Sequence, residues 1–266
     1  MQSFVESLPD YQASGCFSQY SFQCAPPKIS KRQRVRSAPT PPYKGAPGHK
    51  CSVYYYWWRF LKLSSNYYQT CKQNGVGPCA KLYEDFGDLY KTGFRDWWQE
   101  RWQLFAERPA VTVADGQSTA DDPSNILTLK LDLSRGKEAI RRSLEALHLQ
   151  LHYPERVATN HGSTARYSVF SRPILMTLHR QLQIYRHKTR DPGATDAEIA
   201  DRVGITVNNR LEGLTERQLI RAGIPTDQLH AQMRRAKNRV VQRDYRMACS
   251  LIKNAEQGIF PKADTR

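Results

Sequence analysis

Six positive side chains fall within thirteen residues near the carboxy-terminal end: Arg234, Arg235, Lys237, Arg239, Arg243 and Arg246, with Asp244 as the only acid among them. The stretch has a helical pattern, and a solvated helix usually offsets such charges with glutamates one turn away. Arginines left without that offset present planar donor forks suited to phosphate. The chemistry indicated is contact with a nucleic-acid backbone or groove, with Arg234, Arg235, Lys237, Arg239 and Arg243 as the phosphate-binding set. The competing reading is a surface helix that packs on acidic parts of the same chain.

Upstream, residues 195–205 read TDAEIADRVGI. Thr195 and Glu198 have the spacing of a capping box, in which each side chain satisfies a backbone amide of the other. Ile199, Ala200 and Val203 make a narrow apolar face, and Gly204 permits a tight turn. Ala200, four residues before that glycine, is small enough for a second helix to approach closely. The segment resembles the first half of a bacterial helix-turn-helix. Its continuation departs from that pattern: residues 206–211 are short, Arg210 stands where an apolar residue belongs, and Gly213 interrupts early. In a shortened reading element, Thr206, Asn208, Asn209 and Arg210 are the base-edge candidates, since Asn pairs well with adenine and Arg with guanine.

Charge is uneven along the chain. Of a net +15, residues 1–50 hold seven basic against two acidic side chains and residues 154–266 hold twenty against eleven. Residues 51–110 and 111–153 are close to neutral, at eight against six and five against six. Basic ends around a neutral middle form an electrostatic footprint for phosphate. The amino-terminal cluster Lys31, Arg32, Arg34 and Arg36 lies in a segment rich in Pro, Lys and Arg. It reads as a disordered tail that lies on a phosphate backbone or stays solvated.

Other constellations carry less chemistry. No phosphate-cradling P-loop is present, and Gly75-Val76-Gly77 follows no strand. His148 and His152 are one helical turn apart, but Leu149 occupies the position of the zincin glutamate. His161 and Ser163 are neighbours on a loop, which does not build a triad. Glu84, Asp85, Asp88, Asp96 and Glu100 have the composition of a nuclease metal site, or of solvated helix faces. The six cysteines include no C-x-x-C pair and read as reduced thiols. The expectation is therefore no enzyme, no metal and no cofactor.

These candidates must be positioned by a frame, and the aromatic residues outline it. Residues 54–105 hold 16 of the 28 aromatic side chains and all five tryptophans. Tyr54, Trp57, Trp58 and Leu61 share a helical face; Leu82, Tyr83, Phe86 and Leu89 mark a second helix, ended at Gly93. Phe94, Trp98, Trp102 and Phe105 mark a third. Residues 126–133 alternate as a strand, and 135–152 read as a helix. Further helices are expected from Pro173, capped by Ser171, and from Thr226 to Gln257, with Leu229, Met233, Ala236, Val240, Met247 and Leu251 as its buried seam. The longest apolar run, Val53–Trp58, is too short for a bilayer, and no secretion signal is seen, so the expected setting is cytoplasmic.

The fold expected is mainly α: an aromatic-rich helical subdomain with a small β element, then a basic, helix-turn-helix-like domain. Its divisions are a disordered basic tail over 1–50, the aromatic domain over 51–153, a linker over 154–172 and the basic domain over 173–266. The pieces Trp57-Trp58, LYEDFGD at 82–88 and the run from Ala248 to Pro261 (A-x-x-x-I-x-N-A-x-x-G-x-F-P) resemble uncharacterised bacterial proteins of phage-like or mobile-element neighbourhoods. That resemblance implies a bacterial cytoplasmic setting and supplies no activity. The expected partner is nucleic acid, DNA ahead of RNA, with no membrane and with the aromatic domain as the surface for a homodimer. A regulatory or accessory role follows. The rivals are a protein-binding subunit of a phage or defence assembly, and a metal-dependent nuclease built on the acids of 84–100.

Overall fold

The computed structural model of the chain describes residues 21–29, 40–107, 163, 165–206, 218, 221, 223 and 226–263. The expected strand at 126–133, the helix at 135–152, His148, His152 and His161 lie outside the described residues. So do Lys31, Arg32, Arg34, Arg36, Asn208, Asn209 and Arg210. The fold is mainly helical; the β content among the described residues is two strands of two residues, Ser21–Phe22 and Ala106–Glu107, and an isolated bridge.

The chain divides into two compact units: Met1–Ser21 with Ala106–Arg166, and Phe22–Phe105 with Tyr167–Arg266. In the first, Ser163 Oγ donates to Glu107 Oε1 at 2.6 Å. The second contains both the aromatic helices and the basic helices, which the sequence pattern separates at 154–172.

Within that second unit, helix α1 (Val53–Leu61) buries Val53, Tyr54, Tyr56, Trp57, Trp58, Phe60 and Leu61. The sequence pattern offered one apolar face; the structure buries nearly the whole circumference, as expected of a helix apolar all round. Only Tyr55 and Arg59 remain half-buried. Helix α2 (Ser65–Lys72) was not marked by apolar periodicity, because Ser64, Ser65 and Asn66 weaken it. Its signal is the cap: Ser64 Oγ accepts from Tyr67 N at 2.9 Å. Helix α3 (Ala80–Phe86) stops earlier than expected, at Gly87, where φ of +69° suits glycine. Helix α4 (Phe94–Arg101) tightens into a 3-10 turn at Trp102–Phe105.

The rings of these elements form one core. Phe105 sits 5.3 Å from Trp57 and stacks on Trp98 at 5.6 Å. Polar edges of buried aromatics are matched where they meet backbone: Trp97 Nε1 donates to Phe86 O at 2.8 Å, and Tyr67 OH donates to Gly87 O at 2.6 Å. The carboxy-terminal end closes this core. Phe260 is fully buried, stacked on Trp57 at 5.5 Å and 5.6 Å from Phe60, and bridges Val169.

Helices α5 (Leu175–Arg190), α6 (Asp196–Val203) and α7 (Thr226–Ala255) pack against one another, and α1 packs on α7. Ile184, Ile199, Ala200, Ile205 and Val241 form their shared core. Helix α5 begins at Leu175 without a side-chain cap; Ser171, expected as that cap, instead donates to Pro261 O at 3.0 Å. The α6 capping box is present, with Thr195 N donating to Glu198 Oε2 at 2.8 Å and Glu198 N donating to Thr195 Oγ1 at 3.3 Å. Gly204 follows at φ +72°, and the small Ala200 is fully buried.

Candidate nucleic-acid interface

The side of α7 that faces solvent is set by the side that does not. Val241, Asp244, Ala248, Leu251, Ile252 and Ala255 are buried. The expected seam named Val240, Met247 and Leu251, so most of the buried face is turned by one residue, roughly 100° of helix. The reason lies in size and pairing. Ala248 and Ala255 allow close approach, and the buried carboxylate of Asp244 is held by cations from two helices. Arg180 Nε is 2.6 Å from Asp244 Oδ2, and Arg243 Nε is 3.1 Å from Oδ1.

Opposite that face, Arg235, Arg239, Gln242 and Arg246 follow at i, i+4, i+7 and i+11 and are exposed. Gln232, Arg235, Asn238, Arg239 and Gln242 line an open groove along the helix. One carbonyl there, Asn238 Oδ1, is buried without a hydrogen-bond partner. Arginines interleaved with amides offer both phosphate contacts and the donor–acceptor pairs that read base edges. Sequence reasoning selected the arginines and passed over Gln232, Asn238 and Gln242. Their spacing from Arg235 and Arg239 was the available signal.

Among the described residues, the acids nearest this face are already engaged. Lys237 Nζ donates to Asp201 Oδ1 at 2.5 Å, and Arg202 Nη1 donates to Asp191 Oδ2 at 2.8 Å. Lys188 Nζ stands 2.6 Å from Asp196 Oδ1, a charge contact rather than an aligned hydrogen bond, while Gln242 donates to Asp196 Oδ2 at 3.0 Å. Of the five α7 cations predicted from sequence, Lys237 and Arg243 are therefore paired within the chain. Arg234, Arg235 and Arg239 are exposed and, among the described residues, make no ion pair; Arg246 behaves likewise. Thr206 is exposed one residue beyond the buried Ile205.

Two of the acids of 84–100 make structural contacts. Asp85 is buried and accepts from Tyr167 OH at 2.5 Å. Asp88 accepts from Tyr90 N at 2.9 Å and pairs with Lys91. Among the described residues no three His, Cys, Asp or Glu side chains gather as metal ligands. Cys71 and Cys79 are free and buried, and burial foremost, then the nearby Asp88 charge, pushes the Cys71 thiol up to about 11, away from a reactive thiolate. Three tyrosines of the aromatic block differ in exposure: Tyr56 is fully buried, Tyr55 half-buried and Tyr68 exposed. Tyr68 meets Tyr90 edge-on at 5.0 Å with Lys72 Nζ 4.8 Å from its ring. Comparison with protein-family models, curated proteins and solved structures gives no match.

Proposed function

We propose that this protein binds nucleic acid, duplex DNA ahead of RNA, through the outward face of α7. The observation that carries this reading is the division of labour among the charges. Among the described residues the acids nearest this face are engaged by a lysine, an arginine or an amide, and Arg234, Arg235, Arg239 and Arg246 remain as an exposed series. Gln232 and Asn238 stand on the same side, where amide side chains can read adenine and the arginines guanine. The α5–α6–α7 packing, with its capping box and small Ala200 before Gly204, supports a helix-turn-helix-like support for that face. A regulatory or accessory role in a bacterial mobile element rests on the sequence resemblance at Trp57-Trp58, 82–88 and 248–261 alone.

The test is a salt titration of binding to random-sequence duplex, read by fluorescence anisotropy. Each neutralised phosphate contributes a slope of about −0.9 in log affinity against log salt. Arg235→Gln with Arg239→Gln is expected to reduce the slope by about 1.8 while leaving the fold intact, since both side chains are exposed. Absence of duplex binding at about 50 mM salt overturns the reading.

A further inference from the structure

A second set of cations gathers where α1 meets α5, and none of its members belongs to the α7 face. Along α5, His179, Gln183, Arg186 and Arg190 follow at i, i+4, i+7 and i+11 and share one side. Helix α1 reaches that side through Tyr56, whose hydroxyl is 3.3 Å from His179 Nδ1. Tyr43 packs on the same imidazole with ring centroids 4.7 Å apart. Arg59, nearly one turn beyond Tyr56, is half-buried beside Trp58, and its Nε is buried without a hydrogen-bond partner. Lys50 closes the 3-10 turn Gly48–Lys50.

The groups are near enough to feel one another. Burial foremost, then the charges of Arg59 and Arg190, lower the Arg186 pKa. Burial foremost, then Lys50 and Arg186, lower that of His179, which favours the neutral imidazole. Among the described residues no carboxylate contributes to either shift, and Lys50, Arg59, Arg186 and Arg190 make no ion pair.

A solvated basic face spreads its charges and intersperses acids. This edge instead holds Lys50, Arg59 and Arg186 at partly buried positions, with Arg190 exposed beside Arg186, and orphans a guanidinium donor, so desolvation and like-charge repulsion both oppose it. A polyanion reverses both effects, and Coulomb attraction is stronger in partly desolvated surroundings than at an open surface. Length decides what kind of polyanion. Lys50 acts at the His179 end of this side and Arg190 marks the other, a helix rise of roughly 16 Å, too long for one phosphate ion and suited to successive phosphates of a strand.

We propose that the α1–α5 edge, carrying Lys50, Arg59, Arg186 and Arg190, is a second phosphate-backbone contact surface for duplex nucleic acid. It takes the identity of the polymer from the reading of α7, and its location from its own residues.

The experiment uses the full chain with Arg59→Gln and Arg186→Gln together, beside Arg235→Gln with Arg239→Gln, each titrated with salt on random duplex. The α1–α5 variant is expected to lower the salt slope by about 1.8, with its thermal midpoint unchanged or raised because like charges have been removed. Arg186→Gln alone serves if the pair does not fold, with a drop of about 0.9. If only the α7 variant lowers the slope, the second surface is overturned and the α7 reading stands. If only the α1–α5 variant lowers it, the reverse holds. If the unaltered chain ignores duplex, both fall. Inorganic triphosphate is the remaining arm: if it raises the thermal midpoint through Arg59 and Arg186 while duplex affinity ignores their loss, the site takes free phosphate and the proposal is overturned.

Discussion

Asp244→Ala sets stability and affinity in opposite directions. The Asp244 carboxylate is 1% exposed and joins α5 to α7 through Arg180 at 2.6 Å, with Arg243 at 3.1 Å on its other oxygen. Removing one partner of a fully buried pair costs about 3–5 kcal/mol, mostly through the charge left unpaired. Here the partners keep 36% and 59% of their side-chain surface in water, so they rehydrate and the expected cost falls to about 2 kcal/mol. For a domain of this size that lowers Tm by about 4–8 °C, read by fluorescence of the buried tryptophans. The same change frees Arg243 on the edge of the exposed face. Duplex affinity, measured well below either midpoint, is then expected to rise, with a salt slope steeper by about 0.9. An unchanged Tm would refute Asp244 as the joint between the two helices. A lowered Tm with an unchanged or shallower slope would refute phosphate contact by α7.

Phe260→Ala is expected to destabilise the second unit by about 3–5 kcal/mol, because a fully buried ring stacked on Trp57 is lost from a close-packed core. Chemical denaturation followed by tryptophan emission measures it, and a cost near zero would remove Phe260 from the core. Glu198→Gln tests the cap of α6: hydrogen bonds from Thr195, its backbone amide first, hold the Glu198 carboxyl below its ordinary 4.5. Because the folded pKa is depressed, this stabilisation is complete above the ordinary value and disappears as pH falls through the folded one. The stability difference between the native chain and Glu198→Gln is accordingly expected at neutral pH and to vanish in acid; a difference that persists there would refute the cap.

What could be read from the sequence was what local chemistry determines. The Thr195–Glu198 box, the turn at Gly204 and the aromatic faces of α1 and α4 depend on residues a turn apart, and they are where the spacing put them. Helix α2 escaped because its signal is a serine cap rather than an apolar stripe. The α7 seam was misjudged by one residue because periodicity treats Asp244 as outward; only a partner 64 positions away, Arg180, makes its burial tolerable. The same long-range logic hid the α1–α5 edge, whose cations are separated by more than a hundred residues and look unrelated in sequence. The resemblance pieces prove to be packing elements. Asp85 holds Tyr167, a side chain at Gly258 would meet that ring at 2.6 Å, and Phe260 stacks on Trp57.

Phe260 and Glu256 also impose an order on synthesis. Ser64 Oγ donates to Glu256 Oε1 at 2.5 Å across 192 residues, and the Trp57 ring awaits a phenylalanine still further on. While the ribosome is translating the middle of the chain, the rings of α1 and α4 have emerged, but Trp57 and Phe60 still lack the Phe260 ring that closes their core. The nascent protein must therefore carry that uncovered apolar surface until α7 and the turn bearing Phe260 emerge, whatever the stability of the finished fold.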